Sequence, residues 1–83
     1  MLLLRLKALA DDTRLQIINI LFSGRKKVSD IIKEMKKSQP AVSIALKQLL
    51  YAGIITQERE GKCIYYSIQN KEELKKALEL LKK

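Results

Sequence analysis

The chain has 83 residues, 47% hydrophobic and 31% charged, a composition that fits one small globular domain and argues against intrinsic disorder. Seventeen Lys and Arg stand against nine Asp and Glu, a net charge of +8. That excess favours a polyanionic partner, nucleic acid or an anionic membrane surface, without choosing between them. A single cysteine, Cys63, excludes an internal disulfide and suits a reducing cytoplasm.

Met1-Leu2-Leu3-Leu4 is apolar, but Arg5 and Lys7 interrupt it. The run is too short for a signal-peptide core and far below the roughly 20 residues that span a bilayer. The expectation is a soluble, cytoplasmic protein with no membrane partner. A chain this short buries only about 60% of its unfolded surface, so a second subunit is the expected source of additional apolar burial.

In chain order, Leu2, Leu3, Leu6 and Leu9 recur at helical spacing and predict a short amphipathic helix over 1–10. Asp11 is a predicted N-cap, its carboxylate accepting from a free backbone N–H of the next helix. That helix carries Leu15, Ile18, Leu21 and Phe22 and stops at Ser23-Gly24, where Gly24 can adopt the left-handed cap conformation. Arg25-Lys26-Lys27 reads as a charged connection. Ser29 is the predicted N-cap of a short helix carrying Ile31, Ile32 and Met35, and Lys36-Lys37 lies in the turn beyond.

Ser38 is the next predicted N-cap, with Pro40 in the first turn where its missing N–H costs nothing. This helix runs to about Ala52 and ends at Gly53. The period then changes from helical to extended: 54–59 and 63–68 are β-branched and aromatic, with Glu60-Gly61-Lys62 as a glycine turn. Ile64, Tyr66 and Ile68 alternate onto one face, the expected core side. Leu74, Ala77, Leu78 and Leu81 repeat at i, i+3, i+4 and i+7 on a C-terminal helix.

Two consecutive helices joined by Lys36-Lys37-Ser38 form a helix-turn-helix over 29–37 and 38–52, a motif whose second helix enters the DNA major groove. The hairpin over 54–69, with its basic, glycine-containing tip, is the wing. The expected fold is mainly α with a small β-hairpin, one winged helix-turn-helix domain over 1–83. The second helix divides into a core stripe (Val42, Ala45, Leu46, Leu49, Gly53) and an opposite face carrying Pro40, Ser43, Ile44, Lys47 and Tyr51, with Gln39 at its N-terminal end. Gln39 has the amide geometry to pair with adenine, Ser43 can bond a base edge or phosphate, and Lys47 can reach guanine or phosphate. Ile44 has two readings of equal weight: a contact to a thymine methyl, or a partly buried core residue.

Three segments resemble the arsenic-repressor (ArsR/SmtB) family of winged-helix regulators. Leu6-Lys7-Ala8-Leu9-Ala10-Asp11-Asp12-Thr13-Arg14-Leu15 is similar to the family's "LKALADPTRL" opening. Ser38-Gln39-Pro40-Ala41-Val42-Ser43 through Leu46-Lys47 and Leu49, then Ala52-Gly53-Ile54-Ile55, resembles its recognition helix. Arg59-Glu60-Gly61-Lys62 through Tyr65-Tyr66 resembles its wing. Each segment alone is a weak signal; three in register over residues 6–68 are a strong one.

The resemblance implies a homodimeric repressor of a pseudo-palindromic operator, paired through its first and last helices. Leu2, Leu3, Leu6 and Leu9 on residues 1–10, with Leu74, Ala77, Leu78 and Leu81 on 71–83, are the candidate interface. By twofold symmetry the recognition helices would sit about 34 Å apart, one DNA turn. Candidate DNA contacts are Gln39, Pro40, Ser43, Ile44 and Lys47 for bases. Arg59 and Lys62 on the wing, with Arg25, Lys26 and Lys27, are candidates for phosphates or the adjacent minor groove.

The chain departs from the family where many members bind metals. Lys27-Val28-Ser29 stands at the place of the metal-sensing "CVC" motif, and there is no histidine. Glu72, Glu73 and Glu79 read as a solvated face paired with Lys75, Lys76 and Lys83. No metal or cofactor is expected, since soft and borderline metals require thiolate or imidazole ligands. Cys63 reads as a small strand residue in preference to a redox switch, which needs a lowered pKa and access. Ile44 and Ala45 stand where relatives often carry Arg and His, so the operator preference of those relatives does not transfer.

No nucleophile elbow, phosphate-binding glycine loop or catalytic cluster is present, so no enzyme is expected. The alternative to a DNA regulator is a winged-helix module for protein docking. An RNA-binding role is disfavoured by few and mostly core-like aromatics.

Overall fold

The computed structural model describes residues 11–81. Their elements are α1 (Asp12–Leu21), β1 (Lys26–Lys27), α2 (Val28–Glu34), α3 (Gln39–Tyr51), β2 (Ile55–Glu60), β3 (Cys63–Ile68) and α4 (Lys71–Leu81). The helix predicted over 1–10, with Leu2, Leu3, Leu6 and Leu9, lies outside the described residues.

Side-chain caps set three of the helix starts. Asp11 accepts from the Arg14 N–H at 3.2 Å and opens α1, and Ser38 Oγ accepts from the Ala41 N–H at 3.3 Å and opens α3. Asn70 does the same for α4, its Oδ1 accepting from the Glu73 N–H at 3.0 Å. Asn70-Lys71-Glu72-Glu73 carries an Asn-x-x-Glu pattern akin to a capping box, a local signal that hydrophobic periodicity alone does not register.

α2 begins differently from expectation. It starts at Val28, Ser29 is an exposed residue inside its first turn, and no side chain caps it. The cause is β1. Lys27 is held extended (φ −76°, ψ 153°) by pairing with β3, so the chain passes straight from strand to helix. Arg25-Lys26-Lys27 is thus more than a connection, because its last two residues add a third strand. The antiparallel sheet runs β1-β3-β2, with Lys26 opposite Tyr66 and Lys27 opposite Tyr65.

α3 ends in a Schellman turn. The Gly53 N–H donates to Leu50 O at 3.0 Å, the Ile54 N–H donates to Leu49 O at 3.1 Å, and Gly53 sits at φ 76°. This turn aims the chain directly into β2 and buries Ile54 and Ile55 beside Leu49 in one cluster. Gly24 closes α1 at φ 138°, a positive angle beyond the left-handed helical well expected of it. The hairpin tip is tighter than the predicted three-residue turn. Glu60 pairs with Cys63, leaving Gly61 (φ 63°) and Lys62 as a two-residue loop. A positive φ at the first central residue alone is the pattern of a type II′ turn, whose twist matches the flanking strands.

The core joins α1 (Ile17, Ile18, Leu21), α2 (Ile31), α3 (Val42, Leu46, Leu49) and β2 (Ile55), all fully buried. No polar or charged residue is buried among those described. Each such aliphatic side chain contributes roughly 1.5–3 kcal/mol through burial. α3 therefore sits at the centre of the packing, its inner stripe fixed from several sides.

Candidate nucleic-acid interface

The inner face of α3 is Val42, Ala45, Leu46, Leu49 and Ala52, all buried. A helix so anchored has one outward face, and the sequence decides what it displays. Gln39, Pro40, Ile44 and Lys47 are exposed there, and Ser43 is half-buried. Ile44 is 58% exposed, so it is a surface residue and not part of the protomer's core. Tyr51, at the C-terminal end of the helix, is 86% exposed. From Gln39 to Lys47 the helix rises about 12 Å at 1.5 Å per residue, a length comparable to the major-groove width of about 12 Å.

The helix is also held from its flank. Arg14 on α1 donates from its guanidinium to the Gln48 side-chain oxygen on α3. Lys37, in the turn before α3, lies 3.4 Å from the Asp12 carboxylate. Both are surface interactions, worth little for stability and more for fixing the angle between the helix-turn-helix and α1.

The wing projects from the C-terminal end of α3. Cross-strand pairing gives its two faces different contents. Ile55, Gln57 and Arg59 lie opposite Ile68, Tyr66 and Ile64, while Thr56, Glu58 and Glu60 lie opposite Ser67, Tyr65 and Cys63. Tyr66 packs against the core and Ile68 is buried in it. On the other face the Thr56 and Ser67 hydroxyls are 3.1 Å apart. Arg59 and Lys62 are exposed toward the tip, whereas Lys26 and Lys27 are half-buried on β1. Cys63 is a half-buried free thiol.

Arg25 does not behave as a free cation. Its guanidinium lies 2.7 Å from Glu60 Oε2 and 3.1 Å from Glu58 Oε1, and its central carbon is 4.1 Å from the Tyr65 ring centroid. The Glu60 hydrogen bond, supported by the charges of Glu60 and Glu58, raises its pKa above the ordinary arginine value. The sequence groups Arg25 with the phosphate-binding cations; the structure pairs it within the wing. No local pattern announces this, since its glutamate partners stand 33 and 35 positions away along the chain.

Of the residues assigned to a subunit interface, Leu74 and Ala77 are 5% and 7% exposed within the protomer's own core. Leu78 is partly buried and lines a shallow cleft with Phe22, Lys75 and Glu79, and Leu80 is 54% exposed. α4 thus keeps Leu74 and Ala77 for its own subunit, packs Leu78 partly against the core and shows Leu80 outward. Among the described residues no three of His, Cys, Asp and Glu lie together as a metal-holding group, and no helix is long and apolar enough to cross a membrane.

A helix-turn-helix with an outward recognition helix, followed by a hairpin that flanks that helix and pairs with a short strand from before the motif, defines a winged helix-turn-helix protein. Residues 11–57 match the model of the bacterial regulatory protein arsR family, and the chain belongs to that family. It is 37% identical over 62 residues to the transcriptional repressor SdpR of Bacillus subtilis (strain 168), covering 75% of this chain and 69% of that protein. It is 34% identical over 62 residues to the probable mercury resistance operon repressor of Streptomyces lividans, of which it spans only 50%. Among solved structures it resembles the homodimeric winged helix-turn-helix DNA-binding domain Mb0332 from Mycobacterium bovis. There the TM-score is 0.82 at 28% identity, covering 96% of this chain and 75% of that one.

Proposed function

We propose that this chain binds double-stranded DNA as a homodimer and represses transcription in the cytoplasm, without catalytic activity. The observation that carries the reading is Ile44, exposed on the outward face of α3 between Gln39 and Lys47. An apolar side chain gains nothing from water at that place, but it matches a thymine methyl in the major groove. In this reading Gln39, Pro40, Ser43, Ile44 and Lys47 meet bases, and Arg59, Lys62, Lys26 and Lys27 meet phosphates or the neighbouring minor groove. The +8 charge supplies the sequence-independent part of the affinity.

The homodimeric state of the Mycobacterium bovis domain supports pairing by twofold symmetry, and the exposed Leu80 of α4, beside the half-buried Leu78, supplies apolar surface for it. The repressor assignment of SdpR supports the direction of control. The test is a mobility-shift titration on genomic fragments, including the one upstream of the chain's own gene, across a salt series. The expected result is a salt-sensitive shift on few fragments, with two chains per site. Weak binding, equal on every fragment, would overturn base reading and favour a protein-docking role.

A further inference from the structure

The hairpin Ile55–Ile68 is formally neutral, since Arg59 and Lys62 are matched by Glu58 and Glu60. A neutral wing is a poor phosphate ligand. Glu60 is adjacent to Arg59 and two residues from Lys62, so with consecutive Cα atoms about 3.8 Å apart its backbone lies within about 7.6 Å of both. That is inside the Debye length of about 8 Å at physiological salt, so its field reaches any phosphate the tip cations hold. Both carboxylates stand on one face of the hairpin, and both are held by Arg25, which enters from outside the hairpin and lies over the Tyr65 ring on that same face.

We propose that Arg25 is a positioning residue of the wing: by bridging Glu58 and Glu60 above Tyr65 it offsets one of their two negative charges, and so gives an otherwise neutral hairpin the single net positive charge that phosphate binding needs. This rests on the DNA-binding reading above. It also reverses the role expected of Arg25, which acts on DNA through the two glutamates and not by touching a phosphate. The guanidinium is suited to this bridging, because one of its nitrogens, Nη1, meets both carboxylates while the broad planar group lies over the aromatic ring, a contact that the compact lysine ammonium makes less well. β1, which begins at the next residue, pairs with β3 and delivers Arg25 to this place.

The test compares DNA titrations of wild type, R25Q and the triple variant R25Q/E58Q/E60Q at several salt concentrations. The first expectation is that R25Q weakens binding roughly fivefold to tenfold, an effect of the size that one or two phosphate contacts carry. The second is that the triple variant, whose wing carries +2 where the wild type with Arg25 carries +1, binds at least as tightly as wild type with an unchanged slope of log K against log salt. Were Arg25 itself a phosphate ligand, the slope of the triple variant would be shallower by about 0.9, and that result overturns the proposal. Full affinity in R25Q overturns it as well. R25K should fall between wild type and R25Q, since it keeps the charge and loses the planar group over Tyr65. Weak, salt-insensitive binding by the wild type would instead mark failure of the DNA reading, before Arg25 is touched.

Discussion

The recognition helix and the wing are held in place by opposite means. α3 is fixed from within: Val42, Leu46 and Leu49 are fully buried, and the helix packs against α1 and β2. Beyond its buried base at Ile55 and Ile68, the wing is organised on its surface by a three-residue charge cluster, an arginine over an aromatic ring and a two-residue strand. Burial is strong and insensitive to salt; exposed charge is weak for stability but acts over several ångströms on a charged partner. The part that would read bases is therefore rigid, and the part that would meet phosphates is tuned electrostatically.

The most forceful way to break this contrast is to excavate the core beneath α3. Leu49→Ala should cost about 2–5 kcal/mol, since the side chain is fully buried and its neighbours collapse only partly into the space. Urea unfolding would measure it. DNA affinity should fall with stability, because recognition needs the helix held. A loss below about 1 kcal/mol would mean that α3 is not the packing centre.

A second change leaves the fold intact and tests only the outward face. Gln39→Ala should cost roughly 1–3 kcal/mol on the cognate site and relax preference at one base pair, with unfolding unaltered. Competition among single-base variants of the operator reads this directly. An equal loss on every sequence would make Gln39 a phosphate contact and move base reading toward Ser43 and Ile44.

These two faces of α3 are legible in the sequence because a helix repeats every 3.6 residues, and thirteen residues suffice to separate a buried stripe from an exposed one. The Ser38 cap and Gly53 terminator are legible for the same local reason: each satisfies backbone groups within a few residues of itself. The exposure of Ile44 is not, since an apolar residue at the border of the stripe fits either side. β1 escapes entirely. Two lysines carry no period, and their strand partners Tyr66 and Tyr65 lie about forty residues on. The pairing of Arg25 with Glu58 and Glu60 escapes as well, because a count of cations does not record which of them already have partners.

A third and smaller effect belongs to the start of α3. Ser38→Ala removes the hydroxyl that accepts from the Ala41 N–H and should lower stability by about 1 kcal/mol, visible as a lower urea midpoint at unchanged slope. Gly53→Ala acts at the other end. A Cβ at φ 76° costs on the order of 1–2 kcal/mol, and the same turn also sets the direction in which β2 leaves the helix. Gly53→Ala should therefore disturb the amide resonances of the wing, whereas Ser38→Ala should disturb only those near the helix-turn-helix.

The smallest expected change in stability is also the most telling about the wing. Arg25→Gln removes an ion-pair cluster and a ring contact, yet the side chain is 45% exposed and its partners 71% and 60%. Exposed pairs of this kind lose in solvation and side-chain entropy nearly what they gain in attraction, so the unfolding midpoint should not move. A clear drop would mean that Arg25 helps hold β1 against β3, placing it with the residues that build the fold. An unmoved midpoint beside weakened DNA binding would separate the two regions cleanly: α3 owes its place to what it buries, and the wing owes its charge to a side chain it borrows.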